Sequence, residues 1–252
     1  MNVLACVKRV PAAAGKMTLS ADEQDIDTRF LGFTVSPHEE CAVEEAIRLV
    51  GQHGGATTVL TLGPPAAVDQ LQNALAMGIG SAVLLETDGS DWSAEATAAA
   101  LVDAIRTRPE PFDLLLFGNE AADTGDYQVG VRVAHALGLP CVTGIKAIAI
   151  EDGRLTARRE AGGGWEIFEL PLPAVVTVKE GINLPRYPSL PGRLRAKKTP
   201  IERIEPDARP SALETIRLIV PPERRSDVEI LGSGPEAAPR VVEVLRGAGI
   251  VA

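Results

Sequence analysis

The residues best placed to do chemistry lie in FGNEAADTGDYQVG, Phe117 to Gly130. Asp113 to Phe117 make an apolar run fit for a buried parallel strand, and Gly118 opens a polar, glycine-punctuated loop. A helix is expected from about Asp126 or Tyr127, with Val129, Val133, Ala134, Ala136 and Leu137 on its buried face and Gly138 at its end. At such a strand-loop-helix junction the unpaired N–H groups and positive dipole end of the helix favour a phosphate. Gly125 and Gly130 would let the backbone come close; the plain alternative is an ordinary βα connection. Lys8 and Arg9 follow a first strand, Asn2 to Val7, where cations can meet an anion or simply be solvated. Bond-making catalysis finds less support. There is no G-x-S-x-G elbow, no G-x-x-x-x-G-K-[ST], and His38, His53 and His135 have no evident Ser or Cys partner.

The elements that must hold these residues alternate. Ser36 can cap a helix whose first position is Pro37 and whose first turn carries Glu39 and Glu40. A strand at Thr57 to Leu62 leads through Pro64 and Pro65 into a helix closed by Gly78. Ala82 to Leu85, an Ala-rich helix from Ser93 to Arg106, and Asp113 to Phe117 continue the pattern. This predicts an α/β fold with a doubly wound, mostly parallel sheet, whose ligand lies beyond the strands' carboxyl ends. Cys6 to Arg9, Leu62 to Pro64 and Gly118 to Val129 should converge there. Between Ala12 and Phe33 a long loop or irregular hairpin is expected.

After Pro140 the pattern changes to strands at Val142 to Ile150, Arg154 to Glu160 and Trp165 to Leu170, an antiparallel hairpin excursion, with Pro173 to Lys179 returning to the main sheet. Prolines at 185, 188, 191 and 200 predict an extended, exposed segment without regular structure. Six of its residues from Arg186 to Arg203 are basic and only Glu202 is acidic, against a chain charge of −9. The plain reading is a solvated basic loop; the alternative is docking to an acidic partner or to phosphates, with Tyr187, Leu190 and Leu194 as apolar anchors. Beyond Glu205 an extended C-terminal arm is expected, with a strand at Ile216 to Val220 and an amphipathic helix at Pro235 to Gly247 that must pack on its own domain or on a partner subunit.

The net charge argues against nucleic acid as main partner. The N-terminal apolar run is too short for a signal peptide, and no apolar stretch reaches about 18 residues, so a cytoplasmic setting without membrane insertion is expected. Three unclustered cysteines, Cys6, Cys41 and Cys141, give no basis for a disulfide framework or a metal site.

VKRVP at 7–11, SPHEECAVEEA at 36–46, LGPPAAVDQLQNALAMG at 62–78, the loop at 117–130 and LPAVVTVKEGINLPRYPSLPGRLRAKKTPIE at 172–202, in this order, resemble the electron transfer flavoprotein β subunit. The resemblance spans about residues 1–204. It implies an adenine-nucleotide-hydrolase-like fold in a heterodimer with an α subunit that holds most of the redox FAD. Such a heterodimer passes electrons from flavin dehydrogenases to a quinone reductase or another acceptor, and β itself is no enzyme.

The resemblance also implies a structural AMP in β. Cys6 would contact it through backbone, Ser36, Pro37, His38 and Glu39 would line the adenosine, and Leu62 would lie beside the base. Gly118, Asn119, Glu120, Ala121, Ala122, Asp123, Thr124, Gly125, Asp126, Tyr127, Gln128 and Val129 would wrap the ribose and phosphate. In a recognition loop at about 183–200, Leu190 would anchor the dehydrogenase, with Lys197 and Lys198 at its basic end. Residues 1–204 would be the nucleotide-binding domain and 205–252 an arm on the partner subunit.

Two departures bear on the nucleotide. His38 replaces an aromatic residue, and Tyr127-Gln128-Val129-Gly130 replaces Asn-Gln-Thr-Gly. Gln-Val-Gly resembles the bifurcating branch, in which β binds a second FAD, but Val131-Arg132 replaces that branch's Pro-Gln. AMP and a second FAD both stay open. The rival outside the family is a stand-alone adenine-nucleotide-binding module, which would have no need of the basic segment or the arm.

Overall fold

The computed structural model describes residues 1–12, 18–207, 215–222 and 228–251. Part of the expected long loop, residues 13–17, and parts of the expected arm, 208–214, 223–227 and 252, lie outside the described residues. The chain divides into two units, Met1–Ile216 and Arg217–Ala252.

In the first unit the elements are β1 (Asn2–Cys6), β2 (Val10–Pro11), β3 (Phe33–Thr34), α1 (Pro37–His53), β4 (Ala56–Gly63), α2 (Val68–Met77), β5 (Ser81–Glu86), α3 (Ala94–Arg106), β6 (Leu114–Gly118) and α4 (Val129–Leu137). Next come β7 (Cys141–Ile145), β8 (Ala147–Glu151), β9 (Arg154–Ala161), β10 (Gly164–Pro171), β11 (Ala174–Val178), α5 (Leu190–Ala196) and β12 (Ile201–Ile204). Seven strands form one sheet in the order β12-β5-β4-β1-β6-β11-β7, and every neighbouring pair is parallel. The strand order reverses between β1 and β6, so a crevice opens at their carboxyl ends.

Burial on both faces explains the continuous apolar runs. Along β1, Val3 and Ala5 join the layer under α1 and α2, while Leu4 and Cys6 join the layer under α3 and α4. Leu114 and Leu116 of β6 likewise face one layer and Leu115 the other. Each of the fully buried valines and leucines among them stabilises the fold by about 1.5–3 kcal/mol. The antiparallel sheet β10-β9-β8 packs Leu155, Ala157 and Leu170 into the first layer.

Several expectations need correction. The strand expected at Val142 to Ile150 is two: β7 is an edge of the main sheet and β8 belongs to the small one. Gly144, at φ +70°, marks an irregularity within β7, and Lys146, between the two strands, donates its N–H to Arg158 O of the small sheet. Helix α4 starts at Val129 rather than at Asp126 or Tyr127 because Gly125 and Tyr127 have φ of 59° and 58°, in the left-handed region. The strand expected at Ile216 to Val220 does not form. The proline-rich segment is more ordered than its prolines imply. Ser189 Oγ accepts Gly192 N–H to cap α5, Pro191 sits in the first turn where no donor is needed, and Pro200 stops short of β12, which completes the sheet beside β5.

β2 and β3 pair antiparallel, and among the described residues between them a bridge joins Leu19 to Ile26. In the second unit, α6 (Ala238–Gly247) follows a short turn at Pro235–Ala237 and buries no residue. No helix among the described residues is long and apolar enough to cross a membrane.

Helix α5 lies so close to the end of α2 that a Cβ on Gly192 would fall 2.3 Å from Ala76 O. Gly192→Ala is expected to push α5 off α2 and cost about 1–3 kcal/mol. Thermal unfolding of the variant should show a lowered Tm; an unchanged Tm would mean the two helices are not held at this distance.

Candidate functional site

The carboxyl ends of β1, β4, β5 and β6 enclose a cleft of about 350 Å³. Each wall is a strand end, as the parallel topology requires: Cys6 to Arg9 after β1, Leu62 to Pro64 around the end of β4, Thr87 to Trp92 after β5, and Gly118 to Gly130 after β6. Backbone bonds brace the loops, with Val7 N–H donating to Leu60 O at 3.0 Å and Thr87 N–H to Gly63 O at 2.9 Å. Thr61 Oγ adds a bond to Val7 O at 2.7 Å.

The floor is built around Glu39. Ser36 caps α1 and Glu39 closes the capping box, so one carboxylate oxygen accepts N–H bonds from Ser36 at 3.3 Å and from Lys8 at 3.1 Å. Glu39 is 6% exposed and lines the cleft. Gly118 has to be glycine there, because a Cβ would lie 2.6 Å from Glu39 Cγ. Burial raises the Glu39 pKa to about 8, against the pull of the two N–H groups and of Lys8. Burial pushes the Cys6 thiol well above its ordinary range, with the Glu39 charge adding to it, so Cys6 is no nucleophile and can serve only by its backbone and bulk.

The cationic pair Lys8 and Arg9, open to meeting an anion or to solvation, is engaged within the fold. Lys8 Nζ bridges to Asp123 Oδ2 at 2.6 Å, and Arg9 lies 3.2 Å above the centre of the Phe33 ring. Glu39, Asp123, Asp126, Glu120, Asp25 and Asp91 also line the cleft, so its side chains do not by themselves favour an anion. Backbone can. Helix α4 has no side-chain cap, and Tyr127 to Gly130 line the cleft at its start. Gly130 serves packing rather than ligand approach, since a Cβ there would meet Thr177 and Phe117 at 3.0 and 3.2 Å. Asn119 is oriented from behind: Thr177 Oγ accepts Gly144 N–H at 3.1 Å and donates to Asn119 Oδ1 at 2.8 Å. The amide nitrogen of Asn119 is thereby left as the donor for the cleft.

Of the residues singled out in the sequence, Cys6, Glu39, Leu62, Gly118 to Ala121, Asp123, Thr124 and Asp126 to Val129 line the cleft. Ser36, Pro37, His38, Ala122 and Gly125 do not. Ser36 is buried, its hydroxyl both capping α1 and donating to Glu120 O at 3.1 Å. His38 Nδ1 is buried without a hydrogen bond, 4.0 Å from Glu120 Oε1. Leu190, Lys197 and Lys198 lie on and just after α5, away from the cleft lining. Sequence reasoning missed Thr87, Ser90, Trp92 and Thr177. The first three follow a strand directly, and that signal, applied to β5, would have found them.

The raised Glu39 pKa sets a pH dependence. The unfolded carboxyl ionises near 4.5, whereas the folded one holds its proton to about 8, so the native state binds more protons across that window and loses stability as pH rises through it. Glu39→Gln removes this loss. In thermal melts, the Tm of Glu39→Gln minus that of the wild type should grow from pH 5 to pH 8; a constant difference would refute the assignment.

The electron transfer flavoprotein domain model matches residues 26–209. The chain is 35% identical to the electron transfer flavoprotein subunit beta of Bacillus subtilis, over 98% of each chain. It is 34% identical to the protein of the same name from Syntrophomonas wolfei, over 98% of this chain and 96% of that one. A subunit beta from Mycobacterium tuberculosis is 36% identical over 78% of this chain and 76% of its own. With the electron transfer flavoprotein domain matched over residues 26–209 and agreement with these relatives along nearly its whole length, this chain belongs to the electron transfer flavoprotein β-subunit family.

Proposed function

We propose that this β subunit pairs with an α subunit carrying most of a redox FAD, binds AMP in the strand-end cleft as a structural ligand, and docks a flavin dehydrogenase through the segment around α5. In this reading electrons pass from that dehydrogenase through the FAD to a quinone reductase or another acceptor. The chain does no bond chemistry, and the setting is cytoplasmic. The FAD supplies the electron-accepting ring; this chain's residues bind, position and exclude water.

The observation that carries the reading is the uncapped start of α4 opening into a closed-floored cleft of about 350 Å³. That volume is at the small end of the usual ligand range of roughly 300–1,000 Å³, which supports a mononucleotide. With Lys8 and Arg9 engaged, the phosphate would rest on backbone N–H groups at Gln128 to Gly130 and on the Asn119 amide. Trp92 and Leu62 offer apolar surface for a base, and Glu39 also lines the cleft.

A second FAD in place of AMP is the other reading. It draws on the Gln128-Val129-Gly130 order and on a groove at Glu86, Asp88 and Arg203 that shares Thr87, Ser90 and Trp92 with the cleft.

Around α5, Tyr187 is 92% exposed, Leu190 72% and Leu194 56%, among Arg193, Arg195, Lys197 and Lys198. Such an apolar ridge with a basic rim suits an acidic protein surface. Residues 205–252 would pack on the partner subunit, which gives the uncovered valines of α6 a place to bury.

The chain co-expressed with its genomic neighbour should purify as a heterodimer with flavin absorbance. Denaturing it and chromatographing the released nucleotides should give one FAD and one AMP. Two FAD would transfer the assignment to the bifurcating-type reading, and no flavin would end both. Leu190→Ala should lower electron transfer from the dehydrogenase sharply with FAD content unchanged, whereas unaltered rates would remove the docking role.

A further inference from the structure

Two adjacent acids on α1, Glu44 and Glu45, are only 5% and 2% exposed. Buried carboxylates are tolerated only where partners replace water, and both draw partners from the segment that leads into α5. Arg186 gives Glu44 three bonds, from its backbone N–H at 3.1 Å and from Nε and Nη2 at 2.8 Å each. Asn183 Nδ2 donates to Glu45 Oε2 at 2.8 Å and to Cys41 O at 3.0 Å, and Arg48 completes Glu45 at 2.8 Å. The two residues that bind α1 are followed in each case by an exposed apolar one: Leu184, 90% exposed, after Asn183, and Tyr187 after Arg186. At the far side, Gly192 rests on Ala76 and Arg195 reaches Leu75 O at 3.4 Å.

We propose that the Glu44–Arg186 fork, supported by Asn183 on Glu45, is the positioning element that seats residues 183–187 on α1 and so holds Leu184, Tyr187 and Leu190 ready for a protein partner. The inference rests on the docking role proposed above for this segment. Its physical content is preorganisation. A planar guanidinium gripping a carboxylate through two nitrogens admits one orientation, so the strand between two seats is ordered before the partner arrives. Binding then does not bear the cost of ordering it. A Lys at 186 would keep the charge and lose the fork.

Removing Arg186 alone would strand a buried carboxylate, so the informative variant is Glu44→Gln with Arg186→Gln, examined in the intact heterodimer. Amide hydrogen exchange at residues 184–189 is expected to quicken by about tenfold or more. With a flavin dehydrogenase that reduces the wild-type heterodimer as probe, KM for that dehydrogenase is expected to rise on the order of tenfold, with kcat within about twofold and flavin content unchanged. Should the double variant not fold, Arg186→Lys is used instead, with smaller changes in the same directions. Unchanged exchange overturns the inference, as does faster exchange with an unchanged KM while Leu190→Ala raises KM. If Leu190→Ala also leaves KM unchanged, the docking role itself has failed and this inference falls with it.

Discussion

The contact between Glu39 and Gly118 joins the start of α1 to the end of β6 at a separation that leaves no room for a Cβ. The same carboxylate receives the N–H of Lys8 at the end of β1 and of Ser36 at the helix cap. Two strand ends and a helix cap are thereby tied to one buried group, and the cleft floor is built where they meet. The arrangement is costly, since burial drives the carboxyl towards its protonated form. A structure retains such a group where it fixes geometry that apolar packing would leave loose.

From that first turn α1 runs on to Glu44 and Glu45, which hold the segment leading to α5. One helix therefore braces both the strand-end cleft, at its first turn, and the exposed ridge, at its second and third. With acids around the cleft and Lys8 and Arg9 engaged, the start of helix α4 is where unspent N–H groups bring partial positive charge to the cleft without a mobile side chain.

Much of the fold was legible in the sequence because local chemistry and burial agree. Ser36, Pro37 and Glu39 announce α1, Gly138 ends α4, and the doubly buried strands read as unbroken apolar runs. The misreadings came where distant residues outweighed local propensity. Prolines around 190 look hostile to regular structure, yet each falls where no N–H is required, and α2 and β5 supply the surfaces on which α5 and β12 form. Val142 to Ile150 looks like one strand because nothing local reveals that the chain passes at Lys146 from the main sheet to the small one, where its N–H finds Arg158 O.

By itself, then, the sequence determined the alternating elements, the parallel sheet, the edge at which a ligand would lie and the family to which the chain belongs. These follow from periodicity, capping residues and short motifs, all carried within a few residues of chain. Only the tertiary structure decided that Lys8 and Arg9 are engaged by Asp123 and Phe33, that Ser36 and His38 do not line the cleft while Trp92 and Thr177 do, and that Arg186 is held by Glu44. The reason is physical: each of those outcomes depends on which charges and rings come within a few ångströms across the fold, and chain-distant partners leave no local mark on composition or spacing.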